Sequence, residues 1–341
     1  MPTLNNSIDV RTYAHLLKAH CEPHIFPKPF FDRLQEVTVN RGAIKRWLHI
    51  PFLHDTSVRF RMLEEFGPDR VKDMPIVENT MIGMALGMAM SGLRPVAEIM
   101  FMDFITVCMD QIVNGIAKER YRFAGQFEVP VTIRTAAGAA GGAGPDHSQS
   151  FEAWFAHVPG LKVVMPSTGY DAKGLLKSSI RDDDPVIFIE HKGLYSTKVE
   201  IPEEEYTIPL GKADIKRAGK DVTVVATSRM VFEALAAAEE LSRDGISVEV
   251  VDPRTISPLD IATILRSVTK TRRLVIAHEA VRAFGIGAEI AATVQEEAFD
   301  SLDAPIKRVG AAFAPLPVAK PMEDRCLPWA KDIVQAVKDI T

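Results

Sequence analysis

The sequence predicts an α/β protein of two doubly wound domains. Short apolar strands alternate with helical segments up to residue 190, an acidic, proline-flanked stretch follows at 198–210, and a second alternating run fills the rest. Alternation of this kind builds mainly parallel sheets covered by helices on both faces, because parallel neighbours need a crossover connection. The 341 residues suit two domains of ordinary size. The expected limits are 1–197 for the first domain, with an atypical opening over 1–60, then a linker at 198–210 and a second domain over 211–341.

Residues 1–60 mix Pro23, Pro27, Pro29 and Pro51 with five histidines and predict only weak helical fragments at 10–19 and 30–37. A helix end at 61–66 is stopped by Gly67-Pro68, and 70–74 leads into a turn at Pro75. A helix over 79–91 is rich in small residues: Gly83 and Gly87 share one face, Ala85 and Ala89 another. Such faces let a backbone or a ligand come close. Strands follow at 95–100, 129–134, 162–165 and 185–190, with helices at 104–121, 150–157 and 171–181 and a Gly/Ala loop at 136–145. Beyond the linker, strands are expected at 222–227, 247–252 and 273–277, and helices at 232–243, 259–269 and 287–297.

Composition excludes several classes. Hydrophobic residues at 47% and charged residues at 25% are ordinary for a globular protein. A net charge of -5 gives no reason to expect nucleic acid or an anionic membrane as partner. Cys21, Cys108 and Cys326 are too far apart to suggest a disulfide framework, which fits a reducing compartment. No basic start precedes an apolar run, so a cytoplasmic location is expected. The most apolar stretch, 81–90, is far shorter than the roughly 20 residues a membrane span needs, and reads as a buried helix. His20, Cys21, His24, His49 and His54 fit no regular zinc spacing.

Three features point to chemistry. In Pro75-Ile76-Val77-Glu78 a carboxylate sits at the tip of a turn into a helix, where spacing alone also allows a first-turn acid that complements the dipole. His147 follows the glycine-rich stretch 138–145, and histidine titrates where proton transfer at neutral pH needs it. Asp182-Asp183-Asp184 reads, by itself, as a solvated helix-end turn.

From about Met62 onward the chain resembles the β subunits of the E1 components of 2-oxo acid dehydrogenases and of acetoin dehydrogenases. The resemblance rests on Leu63-Glu64-Glu65-Phe66-Gly67-Pro68, Gly92-Leu93-Arg94-Pro95, Phe101-Met102-Asp103-Phe104, Asp110-Gln111-Ile112-Val113-Asn114 and His147-Ser148-Gln149-Ser150. It continues in His157-Val158-Pro159-Gly160-Leu161, Tyr170-Asp171-Ala172-Lys173-Gly174, Asp182-Asp183-Asp184-Pro185, Asp252-Pro253-Arg254-Thr255 and Phe284-Gly285-Ile286-Gly287. It implies a transketolase-like pyrimidine-binding domain followed by a transketolase C-terminal-like domain. It also implies a thiamine-diphosphate-dependent oxidoreductase subunit, active only with an α-type E1 partner in an α2β2 assembly. Such a subunit decarboxylates a 2-oxo acid or cleaves acetoin and passes the acyl group to a lipoyl arm on a separate E2 acyltransferase.

By the same resemblance, Glu78 contacts N1′ of the cofactor's aminopyrimidine, while Ile76, Met100 and Phe104 pack on its ring. A proton shared at N1′ favours the imino form of the 4′-amino group, which can then remove the C2 proton of the thiazolium. His147 faces the reacting centre, and Val131, Ser179, Asp182 and Asp184 match positions that hold a structural K+, mostly through carbonyls. Neither a Gly-Asp-Gly turn, nor a P-loop, nor a Gly-x-Gly-x-x-Gly fingerprint is present. The chain is therefore expected to grip the pyrimidine end only, with Mg2+ and the diphosphate held mainly by the α chain. Two departures keep other readings open. Asp146 stands where the family more often has glutamine, and residues 20–60 lack the family's Gly-Glu-Asp segment. They leave room for a carboligase or acyl-transfer subunit of a biosynthetic pathway, or for a non-catalytic paralogue.

Overall fold

The computed structural model describes residue 62 and residues 64–67, 69–72 and 74–341. The weak helices and the histidine-rich stretch expected within 1–60 lie outside the described residues.

The first sheet contains β1 (Val96–Ile99), β2 (Thr132–Ala137), β3 (Lys162–Val164) and β4 (Val186–His191), parallel in the order β1-β2-β4-β3. Every residue of β4 is buried, as in a central strand covered on both faces. β2 starts at Thr132 rather than 129 and runs through Ala137, into the expected Gly/Ala loop. Pro130 has no N–H for the ladder, and the Val129 N–H goes to the Asp183 carbonyl at 3.1 Å instead.

α1 (Glu78–Met90) buries Ile82, Ala85 and Ala89. The helix expected over 104–121 is composite: a 3₁₀ stretch at Met102–Cys108, a π stretch at Gln111–Ile116, and α2 (Ala117–Arg122). Close packing accompanies the break, since a Cβ at Gly115 would stand 3.0 Å from Leu86 of α1. α3 (Glu152–Ala156) is one short turn. α4 (Gly169–Arg181) is capped by Thr168, whose hydroxyl accepts from the Asp171 N–H at 3.1 Å.

The 198–210 segment is strapped along α4. Lys173 Nζ donates to the carbonyls of Pro202 and Glu204, Ile208 N–H donates to Gly174 O at 3.2 Å, and Tyr206 stacks on Tyr170 at 4.5 Å.

The second half holds β5 (Asp214–Arg217), β6 (Val222–Ala226), β7 (Val248–Asp252), β8 (Thr255–Ser257), β9 (Leu274–Val281) and β10 (Lys307–Ala311). Its helices are α5 (Met230–Arg243), α6 (Ile261–Thr271), α7 (Ile286–Ala298), α8 (Lys320–Cys326) and α9 (Ala330–Lys338). The second sheet has the order β10-β9-β6-β7-β5, parallel except for β5. Side chains alternate along its strands. Val222 and Val224 face α5 and α9, while Val225 and Val251 face α6 and α7. In α9, Ile333 and Val337 are fully buried, each contributing about 1.5–3 kcal/mol by leaving water. Among the described residues, no helix is long and apolar enough to cross a membrane.

The halves interlock. β8 belongs to the second half in sequence but pairs antiparallel with β3, as the edge of the first sheet. Beside it lies a buried charge network. Lys216 Nζ is 2.6 Å from Asp171 and 2.9 Å from Asp214, and Arg254 lies 2.7 Å and 2.9 Å from the same two carboxylates. Ser167 Oγ donates to Asp252 at 2.5 Å, and Asp171 and Asp252 are fully buried. Burial opposes the charge on Asp171, but Lys216, Thr168 and Arg254 together more than offset it and hold the group below its usual range. Asp252 goes the other way: burial pushes it up to about 6 despite Lys216 at 3.7 Å.

Candidate active site

Where β1 ends, the chain leaves Met100 36% exposed and enters the 3₁₀ stretch. In a 3₁₀ geometry residues three apart lie one above the other. Phe101 and Phe104 therefore share a face, with ring centroids 6.0 Å apart and edge-on. His147 completes this cluster, edge-on to Phe101 at 4.9 Å and to Phe104 at 5.3 Å. The stretch after His147 is pinned to the same element. Buried Asp103 accepts from the Gln149 N–H at 3.2 Å and its Nε2 at 2.8 Å, and the Phe151 N–H reaches Met102 Sδ at 3.0 Å.

Glu78 is the first residue of α1, where the aligned peptide dipoles favour an anion. Val77, at the cap position, has no side-chain oxygen to offer the first-turn amides. Glu78 is partly exposed, and Ile76 beside it is 76% exposed. α1 packs against the 3₁₀ stretch. On that stretch burial pushes the Cys108 thiol up to about 12, and the charge of Glu78 adds to the effect. Glu78 thus acts on the element that carries Phe104.

The loop between β2 and α3 carries His147. Two side chains that sequence reasoning missed hold it. Lys192 Nζ donates to the His147 carbonyl and lies 5.2 Å from the centroid of Phe101, and burial lowers its pKa to about 8. Glu279, at the C-terminal end of β9, accepts from the Ala139 N–H at 2.7 Å and from Arg229 Nε. His191 Nε2 is 2.9 Å from Glu279, while its Nδ1 accepts from the Gly193 N–H, so Nε2 carries the proton that points at the carboxylate. Burial opposes the charge on Glu279, yet His191, Arg229 and the amide together hold it far below the usual carboxylate range. Phe101 could have been found from its place beside Phe104 in an aromatic pair at i, i+3. Lys192 and Glu279 carry no local signal, because their partners are 45 and 140 residues away.

The four residues expected around a cation lie at another corner of the first domain. The Val131 carbonyl accepts from Val186 N–H at 2.9 Å, and the Ser179 carbonyl from Asp182 N–H at 3.3 Å. Lys162 Nζ is 2.6 Å from Asp182 and 3.1 Å from Asp184, and Arg120 pairs with Asp184. Arg94 donates to the Asp182 carbonyl at 2.9 Å. The carboxylates there already have cationic partners.

The candidate residues have chemistry suited to one end of a cofactor. A carboxylate at a helix head, with the apolar surfaces of Ile76, Met100 and Phe104, suits a flat nitrogen heterocycle that must be stacked and protonated. Histidine beside it suits proton exchange with a substrate.

Family models match both halves of the chain. The model for "Transketolase, pyrimidine binding domain" matches residues 55–198, and that for "Transketolase, C-terminal domain" matches 211–333. The chain is 50% identical over 279 residues to the acetoin:2,6-dichlorophenolindophenol oxidoreductase subunit beta of Bacillus subtilis, covering 82% of each chain. It is 49% identical over 281 residues to the mitochondrial pyruvate dehydrogenase E1 component subunit beta-2 of Oryza sativa, covering 81% of this chain and 75% of that one. A solved structure of a split gene transketolase, described as an inactive beta4 tetramer, superposes with a TM-score of 0.70 at 25% identity, covering 85% of this chain and 90% of that one.

Proposed function

The chain belongs to the family of β subunits that joins a transketolase pyrimidine-binding domain to a transketolase C-terminal domain, and from that premise we propose that it is the pyrimidine-side half of a thiamine-diphosphate-dependent dehydrogenase of the 2-oxo acid or acetoin type. The observation that carries the reading is the placement of Glu78 at the head of α1, a helix packed against the element that bears Phe104, whose ring meets that of His147.

Thiamine diphosphate, when bound, supplies the electron sink for breaking a bond next to a carbonyl. The residues of this chain divide the remaining work. Glu78 would hold the cofactor at its aminopyrimidine end and share a proton there, at N1′. Met100, Phe104 and Ile76 would offer apolar surface to the ring. His147 exchanges a proton with the substrate oxygen. Mg2+ and the diphosphate fall to an α-type chain in an α2β2 assembly, and the acyl group passes to a lipoyl arm on an E2 acyltransferase. K+ at Val131, Ser179, Asp182 and Asp184 would be bound by backbone carbonyls, because Lys162 and Arg120 already neutralise the carboxylates. The working division of the chain places the linker at 198–210, and the working location is the cytoplasm. The charge of exposed Asp146, next to His147 in the chain, favours neutral acetoin over an anionic 2-oxo acid, since like charges repel.

The test is reconstitution with the α-type chain. Glu78→Ala is expected to lower turnover by about 100-fold or more while the assembly still forms, and acetoin is expected to show the higher kcat/KM. Full activity in Glu78→Ala would sink the assignment.

A further inference from the structure

The loop from β2 to α3 has little to hold it from within. Gly138, Gly141, Gly142 and Gly144 all have positive φ, a backbone that glycine adopts freely and loses freely. Its base is closed by the Gly138 N–H to the Gln149 carbonyl at 3.2 Å. Its path is set from outside by four charged side chains. Glu279 takes the Ala139 N–H at 2.7 Å. Glu323 of α8 takes the Gly142 N–H with both oxygens at 3.0 Å. Lys192 donates to the His147 carbonyl, and Asp103 takes the Gln149 N–H at 3.2 Å. A side chain at Gly142 would collide with the Val318 carbonyl, so the C-terminal half also closes over the loop.

Asp103 is 5% exposed, Glu279 9% and Glu323 1%. Among the described residues, Lys192 makes no ion pair within 4 Å, although Asp103, Glu279 and Glu323 all act on its charge from further away. Amide-to-carboxylate bonds with an ionised partner are among the strong ones, and a dry setting strengthens them. Here part of that charge holds backbone: Glu279 also pairs with His191 and Arg229, and Asp103 with the Gln149 side chain, yet each takes a loop amide as well. The His147 ring has only its own two torsions beyond that backbone, so fixing the backbone largely fixes the ring.

We propose that Glu279 and Glu323 of the C-terminal half, with Lys192 and Asp103 of the first half, are positioning residues for His147: they set the path of its loop and keep its ring edge-on to Phe101 and Phe104. The inference rests on the reading of His147 given above. It makes the C-terminal domain a determinant of geometry in a site whose residues all belong to the other domain.

The experiment uses the reconstituted complex, assayed by 2,6-dichlorophenolindophenol reduction with pyruvate and with acetoin. Glu323→Gln and Lys192→Met are made alone and in a His147→Ala background. Amide hydrogen exchange of the 138–149 segment is followed in each, with thermal unfolding as a control for folding. A displacement of about 1 Å can cost about 100-fold in rate, so a loss of at least about tenfold in kcat is expected, with KM and thiamine diphosphate affinity nearly unchanged. The loop amides should exchange faster, Lys192→Arg should restore most of kcat, and neither variant should cost more once His147 is gone. The same fractional loss in both backgrounds, or wild-type kcat with wild-type exchange, overturns the positioning role alone. Full turnover in His147→Ala by itself overturns the reading of His147 and the positioning role with it.

Discussion

Charge crosses between the two domains at two places, and it is used differently at each. Around Asp171, carboxylates face cations: Lys216 and Arg254 lie between Asp171 and Asp214, and the whole set is side chain against side chain. Around the His147 loop, carboxylates take main-chain amides as well as side-chain cations: Glu279 takes the Ala139 amide beside Arg229, Glu323 takes the Gly142 amide with Lys320 nearby, and the Lys192 ammonium takes a main-chain carbonyl. The first junction satisfies itself and holds two folded bodies in register. The second commits part of its charge to a glycine-rich strip of backbone and so controls a position. Damage to the first should therefore appear in stability, and damage to the second in turnover.

The largest expected effect breaks the first junction. Asp171→Ala removes the carboxylate shared by Lys216 and Arg254 and leaves buried positive charge with less compensation. Breaking a buried pair by removing one partner costs about 3–5 kcal/mol. Urea unfolding should register that loss, while turnover per folded molecule stays close to wild type. A variant of wild-type stability and poor turnover would erase the distinction between the junctions.

A second prediction concerns a buried carboxyl at the start of α3, which belongs to neither set of bonds. Glu152 is 1% exposed, and its Oε2 has no partner. Burial pushes its pKa up to about 7, partly countered by its own backbone amide and reinforced by the charge of Glu279. The folded state therefore holds this proton more tightly than the unfolded state does. Stability falls as pH rises from about 4.5 to about 7, by about 3 kcal/mol in all, and is level above that. Glu152→Gln removes the titration, so its stability relative to wild type should be higher at pH 8 than at pH 5. Urea midpoints at the two pH values decide the matter: an equal difference at both would mean that Glu152 does not titrate in this window.

Much of the scaffold could be read from the chain, and most of what tunes the site could not. α1 follows from Gly83, Ala85, Gly87 and Ala89 at helical spacing, and β6 and β7 from continuous valine-rich runs. The expected helices and strands reached only to 297. α9 lay beyond, although Ile333, Val334 and Val337 gave a usable amphipathic signal. β10 has only Val309 and Ala311 buried among its residues, too few to set a pattern. β8 is three residues long and exists because β3 offers it an edge, so no local pattern could have shown it. The composite character of the 102–122 region depends on packing against α1, which sequence periodicity does not carry. Phe104 and His147 were expected at the site, and the structure brings them together through Phe101. Lys192, Glu279 and Glu323 act through distant backbone, so their roles become visible only after folding.

The smallest effect sharpens the comparison within the first junction. Ser167 donates to Asp252 at 2.5 Å, and Asp252 keeps the Arg254 N–H at 2.9 Å and Lys216 at 3.7 Å when that hydroxyl is removed. Ser167→Ala should therefore cost about 2 kcal/mol, the range for one hydrogen bond to a charged group. The cost should depend on pH. Burial already holds Asp252 at about 6, so wild-type stability falls as pH rises from the unfolded value of 3.8 to that point. Without a donor to its charged form the carboxyl rises further, and the fall continues to higher pH. Ser167→Ala should thus lag wild type more at pH 8 than at pH 5, the opposite trend to Glu152→Gln, with turnover unchanged. A pH-independent deficit would mean that Ser167 acts through packing, and Asp252 would then be governed by Lys216 and Arg254 alone.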